Sequence, residues 1–256
     1  MGAQSLAEKV SAKEISLFDI NVCNCSPDEG LELLDSAINS GRSSRAMIVN
    51  AACVNISFRN NDYREAMGRY DIRFVDGVGI YLAGRILRGI RLPDLNGTDF
   101  GKLFMQHCAD KGYRVFFLGA RRGVAEKAAA NFKTLYPSLK IAGYHHGYFR
   151  SDQNDEVIET VNEAKPDVLV VCFGKPGEVF WIDENIDRLA VRLAMPLGGF
   201  LDFYSGQKPR APGWILKIRF EWLYRFILEP RRMWKRYLIG NLIFIIRVLR
   251  WKLAGG

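Results

Sequence analysis

Between residues 46 and 200, short apolar runs alternate with segments whose apolar positions recur every three to four residues. The runs Ala46–Asn50, Ile72–Val75, Tyr113–Leu118 and Asp167–Phe173 have the length and composition of buried strands. Helical periodicity follows at roughly 60–69, 77–88, 98–111, 122–136, 153–163 and 177–190. Strands alternating with helices of ten or more residues predict an α/β fold, a Rossmann-like, mainly parallel sheet flanked by helices. Ligands of such sheets collect beyond the C-terminal strand ends, which nominates the loops after Asn50, Phe74, Leu118 and Phe173. No internal repeat and no linker rich in Pro, Gly or Ser interrupts the chain before residue 206, so residues 1–206 are expected to form one body.

The pattern changes after that point. Trp214–Leu228 is apolar except for Lys217, Arg219, Glu221 and Arg225. Pro230 cannot continue a helix but suits the first turn of a new one, which predicts a break at Glu229-Pro230. At about 100° per residue, Arg232, Arg236, Arg247 and Arg250 of the second helix share a narrow sector. Trp234, Leu238, Leu242, Phe244, Ile245, Val248 and Trp251 cover most of the rest, and Ile243 interrupts the basic stripe. Residues 207–256 are therefore expected to form a basic amphipathic helical appendage that lies on an anionic membrane surface. The alternative is a helix packed on the body with solvated arginines.

Charge sharpens this division. The whole chain carries +8, yet residues 207–256 hold twelve Lys/Arg against only Glu221 and Glu229, so the body is slightly acidic. Such asymmetry points to a polyanionic partner for the tail. The five cysteines are odd in number and scattered, and the three histidines lack ligand spacing. A reducing compartment is expected and a zinc site is not. Charges run through residues 1–20 and no stretch of 18 apolar residues exists, so neither a secretory signal nor a membrane-spanning helix is expected.

Candidate chemistry is sparse. Gly119-Ala-Arg-Arg-Gly123 follows a strand and opens a helix, so it reads either as a phosphate cradle or as a simple turn. It lacks the three-glycine dinucleotide pattern. Asp76-Gly77 also stands at a strand end, where Asp-Gly is often only a turn and the aspartate is a candidate catalytic group. His145 and His146 read as hydrogen-bonded loop residues. No Asp-x-Asp occurs, which favours metal-free chemistry, and no Gly-x-Ser-x-Gly or Cys/His arrangement supports a nucleophilic hydrolase.

From about residue 19 to 237 the sequence resembles the WecG/TagA/CpsF glycosyltransferases. The resemblance is carried in order by Val49-Asn50, Asp76-Gly77-Val78-Gly79-Ile80, Asn96-Gly97-Thr98-Asp99, Phe116-Phe117-Leu118-Gly119, Tyr136-Pro137, and Gly143 with Gly147-Tyr148-Phe149. Pro166-Asp167, Phe173-Gly174-Lys175-Pro176 with Glu178 and Trp181, Gly198-Gly199 with Asp202, and Arg210-Ala211-Pro212 continue it. Glu221-Trp222-Leu223-Tyr224-Arg225 and Glu229-Pro230-Arg231-Arg232 close it.

The resemblance implies an inverting, metal-independent enzyme without cofactor. It would move a hexose, N-acetylhexosamine or uronic acid derivative from a UDP-sugar to a polyprenyl-diphosphate-linked saccharide. The setting it implies is bacterial surface polysaccharide synthesis, at the cytoplasmic face of the inner membrane. It assigns catalysis to Asp76 as base, with Arg225 and Arg232 against the diphosphate. Substrate contacts fall to Asn50, Gly77, Asn96, Gly119, Lys175, Pro176, Glu178, Arg210 and Arg236. Three positions depart from the family pattern: Ile48 stands for Thr, Asp94 for a frequent Arg and Gly177 for Gln, all bearing on the donor sugar. A homo-oligomer is left open. A nucleic-acid binder would also use the basic end, but its many aliphatic residues and the lack of stacking aromatics on a sheet argue against it. A non-catalytic membrane adaptor would use the tail and leave Asp76 idle.

Overall fold

The computed structural model describes residues 5–93, 95–213, 215, 221–234 and 238–255, without the side chains of Glu221, Arg225, Arg232 and Met233. The chain opens with α1 (Leu6–Ser11), the antiparallel hairpin β1 (Glu14–Leu17) and β2 (Ile20–Cys23), and α2 (Pro27–Ile38). Both helices begin in capping boxes, Ser5 with Glu8 and Ser26 with Glu29, which satisfy the first free amides of each.

The body then runs β3 (Ser44–Val49), α3 (Ala51–Ser57), α4 (Asn61–Gly68), β4 (Ile72–Val75), α5 (Val78–Arg88) and α6 (Gly97–Lys111). It continues through β5 (Arg114–Gly119), α7 (Val124–Leu135), β6 (Lys140–His145), α8 (Asn154–Glu163), β7 (Val168–Cys172), α9 (Gly177–Asn185), β8 (Leu193–Pro196) and α10 (Phe200–Tyr204). Strands β3 to β8 form one six-stranded sheet in the order β4-β3-β8-β7-β5-β6, and every pairing in it is parallel. The Rossmann-like α/β architecture read from the alternation of runs is thus present.

Helices cover both faces, so the central strands are apolar on both sides. Met47, Val49, Phe116, Leu118, Leu169 and Val171 face one layer, with α3, α4, α5, α8 and α9. Ala46, Ile48, Val115, Phe117, Val168 and Val170 face the other, with α2, α6, α7 and α10. Besides the hairpin β1–β2, two strands of this sheet escape the sequence pattern. β6 lies at the sheet edge and is only partly buried, so it needs no apolar run. β8 is four residues long and ends in Pro196. The helix expected over 177–190 stops at Asn185, and a 3₁₀ turn at Ile186–Arg188 takes its place.

The tail contains α11 (Glu221–Leu228), α12 (Pro230–Trp234) and α13 (Gly240–Leu253), with the expected break at Glu229-Pro230. The direction in which α13 faces differs from expectation. Phe244 and Val248 are buried in the core layer shared with α3 and α5, and Phe244 lies 5.8 Å from Phe18. Trp251 packs edge-on against Phe18 and Phe58. Arg247, placed by the periodicity in an outward basic stripe, turns inward instead. Its Nη1 donates to the Asn55 backbone and side-chain oxygens, and its guanidinium lies 4.6 Å from the centre of the Phe58 ring. Burial, and then the charge of Arg59, hold its pKa below the ordinary arginine value. Leu242, Ile245, Ile246, Leu249 and Leu253 are left exposed, so α13 shows solvent an apolar stripe rather than an arginine one. Its amphipathicity is satisfied by the body on one side and leaves apolar surface on the other.

Phe244 is the pin of this packing: a Cβ on Gly79 would already lie 3.3 Å from its ring. Phe244→Ala is therefore expected to cost about 3–5 kcal/mol. Urea unfolding monitored by far-UV circular dichroism measures it, and a loss under about 1 kcal/mol would show that α13 is not part of the core.

Candidate active site

The candidate site lies where β3 and β8 part. Their ladder covers only Ser44–Leu193 and Arg45–Ala194, while β3 runs on to Val49. Val49 O accepts the amide of Asp76 at 2.9 Å on the β4 side. Carbonyls alternate along a strand, so Ile48 O faces the parted side. There it accepts from Lys175 Nζ at 3.3 Å and from Cys53 Sγ at 3.6 Å. Lys175 thus reaches from the β7 loop past β8 to the end of β3.

Asp76 follows the last residue of β4, and Gly77 turns the chain at φ +93° into α5, a conformation that side-chain-bearing residues rarely adopt. A Cβ built on Gly97 would stand 3.6 Å from Asp76 Oδ2 and 3.2 Å from Ile48 Cδ1. The carboxylate therefore lies against the bare start of α6. Asn50 and Asn96 cap the helices on either side of it. Asn50 Oδ1 accepts from Ala52 N at 3.1 Å and Cys53 N at 3.2 Å, and Asn96 Oδ1 from Thr98 N at 3.1 Å and Asp99 N at 3.2 Å. Each cap engages the acceptor oxygen of the amide; the donor end is the one a cap does not use. With α5, three helix N-termini open at this edge, and their partial positive charge favours an anion.

Across the sheet, Glu178 is fully buried in the first turn of α9, and its Oε2 accepts from Gly174 N and Gly198 N, both at 3.0 Å. Pro176 joins Lys175 through a cis bond. Gly119 lies farther off, at the end of β5, separated from β3 by β8 and β7. Its φ of +147° brings the chain so close to β7 that a Cβ would meet Cys172 O at 2.5 Å. Ala120 N donates to that same oxygen at 3.0 Å. At about 4.8 Å per strand, a ligand touching both Asp76 and this loop must be extended.

Other expected residues fall apart from this cluster or outside view. Arg210 pairs with Asp99 in the first turn of α6. Arg225 lies on α11 and Arg232 on α12, their side chains outside the described residues, as are Arg236 and Asp94 altogether. His145 and His146 stack at 4.4 Å at the end of β6. Desolvation, then His145 and Arg122, hold His146 below the usual imidazole pKa, which keeps it neutral at pH 7. Among the described residues no three His, Cys, Asp or Glu side chains come together as a metal site.

Periodicity gives no hint of the tail's root. Lys208 Nζ lies 3.2 Å from Asp202 Oδ2 and 3.7 Å from Glu229 Oε1, tying α10 to the α11–α12 joint. A lone lysine just after a helix end carries no pattern; only its position between two acids in space identifies it.

Comparison with known proteins gives a consistent result. The family described as "Glycosyl transferase WecG/TagA/CpsF family" matches residues 15–256. A relative from Bacillus subtilis (strain 168) is 30% identical over 190 residues, 74% of this chain and 73% of its own. Its name is N-acetylglucosaminyldiphosphoundecaprenol N-acetyl-beta-D-mannosaminyltransferase. A Staphylococcus aureus (strain MRSA252) protein of the same name is 26% identical over 255 residues, 97% of both chains.

Proposed function

Because the chain belongs to the WecG/TagA/CpsF glycosyltransferase family, we propose that it moves a sugar from a UDP-sugar to a polyprenyl-diphosphate-linked saccharide, with inversion and without a metal. The names of the relatives point first to an N-acetylmannosamine donor and an N-acetylglucosamine-diphosphate-lipid acceptor. The observation that carries this reading is Asp76: a carboxylate at a strand end, against a glycine and beside three helix N-termini.

A sugar hydroxyl attacks only weakly until a base takes its proton, and Asp76 is the carboxylate placed to do so. As the acceptor oxygen bonds to the anomeric carbon, the bond from that carbon to the donor's phosphate oxygen breaks and UDP departs with the electron pair. The charge developing on UDP needs cations or oriented amides. Lys175 and the helix N-termini would supply these from the sheet side, and the family resemblance assigns Arg225 and Arg232 to the same charge, which arginine can meet bidentately. Asn50 and Asn96 would contact the sugar, and Gly77, Gly119 and Pro176 would lie along the extended path; the assignment of Arg210 and Arg236 to the substrate rests on the family resemblance alone.

The acceptor's lipid calls for a membrane surface. Among the described residues no helix is long and apolar enough to cross a membrane. A peripheral mode is supported by the apolar stripe of α13 together with Ile227, Leu228, Trp234 and Leu238, all exposed; the cytoplasmic face of the bacterial inner membrane is the setting the family resemblance implies. Leu242 is 60% and Leu253 88% exposed, an arrangement suited to entering the acyl boundary with basic residues at its margin.

Three outcomes test the reading. Asp76→Asn keeps the size of the side chain but removes its basicity, so UDP release on adding lipid acceptor should fall about 10²–10⁴-fold while UDP binding is retained. Near-normal turnover would remove Asp76 from the mechanism. In the same assay EDTA should leave the rate unchanged; loss of activity restored by magnesium or manganese would contradict metal independence. Finally, Leu242→Ser, Ile245→Ser and Leu249→Ser combined should weaken partitioning onto anionic vesicles about 100-fold, from about 1 kcal/mol for each half-buried side chain. Arg250→Ala should act mainly at low salt. Unchanged flotation of the triple variant would refute the stripe as the contact.

A further inference from the structure

The loop that carries Lys175 is held by a group that itself has no surface. Glu178 is fully buried, and a buried carboxylate is stable only where donors surround it. Two of those donors are the amides of Gly174, two residues past β7, and Gly198, two residues past β8. Glu178 N also returns to Gly174 O at 3.1 Å, closing the segment that contains Lys175 and Pro176. One carboxylate oxygen therefore joins the ends of two neighbouring strands and the start of α9. Its charge is felt nearby: after burial, Glu178 is the next largest cause that pushes up the Cys172 thiol and the Tyr70 phenol.

We propose that Glu178 is a positioning residue acting through Lys175. By fixing the loop after β7 against the loop after β8, it sets the Lys175 ammonium in the gap between β3 and β8, where the phosphate oxygens of a nucleoside diphosphate are received. This rests on the UDP-sugar reading above. A lysine side chain is long and flexible, and its ammonium is a point charge with three donors, of which Ile48 O takes one. Its placement thus depends on where the loop starts the chain, and binding geometry is sensitive to shifts of about 1 Å. Buried as it is, Glu178 would act through the loop rather than by touching the ligand. The parted ladder explains why such a device is needed. Ile48 O has no strand partner here, and Lys175 reaching in from the β7 loop joins Cys53 in meeting it and adds a full positive charge to that of the helix N-termini.

The test is a double-mutant cycle read by UDP affinity in titration calorimetry, on the full-length protein. Lys175→Met is expected to weaken UDP binding about 10–100-fold, the range for a charge-assisted hydrogen bond. Glu178→Ala should weaken it by a similar factor, and the double variant should be no weaker than Lys175→Met alone. Glu178→Gln, whose amide oxygen can still accept both N–H groups, should recover most of the affinity. Val179→Ala, next to it in the core, should lower the melting temperature and leave UDP affinity in place. Additive losses in the double variant, wild-type affinity in Glu178→Ala, or an equal loss in Val179→Ala would each overturn the proposal. Should Glu178→Ala fail to fold, Glu178→Asp, too short to reach both amides, replaces it in the same cycle. A wild-type protein that does not bind UDP would instead overturn the donor reading, a result distinct from additivity.

Discussion

Two parallel strands that pair at one end and separate at the other turn this sheet from a core into a site. Where β3 and β8 are joined, at Ser44–Leu193 and Arg45–Ala194, all but Arg45 are buried and the strands pair within the ladder. Beyond that point β3 keeps its β4 partner, so Asp76 is anchored through Val49, but the carbonyl of Ile48 must find partners outside the sheet. It takes a thiol from α3 and an ammonium from the β7 loop. An unmatched buried carbonyl would cost about 1–3 kcal/mol, so the parting is tolerated only because Cys53 and Lys175 meet it. The same parting leaves room above β8 for the glycine-rich Leu197–Gly199 turn, which Glu178 ties back to β7. The placement of the cation and of the buried carboxylate follows from one local end of strand pairing.

The tail obeys a second constraint, set by α3 and α5. These helices start directly after Asn50 and Asp76, and α13 packs on both through Phe244, Val248 and Trp251. Asn55 Nδ2 donates to Gly240 O at 2.7 Å and its oxygens receive Arg247, so polar contacts fix the register that apolar packing alone would leave free to slide. The helices that position the two strand-end residues are thus held from behind by the last helix of the chain. Its outward face, which we propose meets the membrane, is carried on the same helices that follow Asn50 and Asp76.

Much of this was legible in the sequence, and the part that was not has a physical cause. The alternation of runs and helices gave the parallel sheet, and the strand-end rule gave the loops at Asn50, Asp76, Gly119 and Gly174 before any contact was known. β6 and β8 stayed hidden because one is a half-exposed edge and the other too short to show a period. For α13 the error was one of sides. Periodicity groups arginines on a face but does not say whether that face meets water or a neighbour, and Arg247 meets Asn55 and the Phe58 ring. Asn50, Asn96 and Glu178 were expected from resemblance as substrate contacts. Their structural tasks, two helix caps and a tie between loops, depend on partners that are distant in sequence or indistinguishable from ordinary capping.

Charge and apolar surface in the tail then have separable tasks. A +10 segment on a slightly acidic body would, by electrostatics alone, be drawn to any polyanion, and its hold would fade with salt. Apolar insertion is insensitive to salt but has no preference for anionic lipid. Arg247 is engaged internally, and Lys208 is engaged by Asp202 and Glu229. The charge that reaches a surface is therefore smaller than the composition suggests, while the exposed Leu and Ile stripe is larger. Depth of attachment should accordingly come from the stripe, and orientation and choice of anionic leaflet from the remaining lysines and arginines. Under the proposed peripheral attachment, salt should shift the enzyme between membranes of different surface charge more readily than it removes the enzyme from membranes altogether.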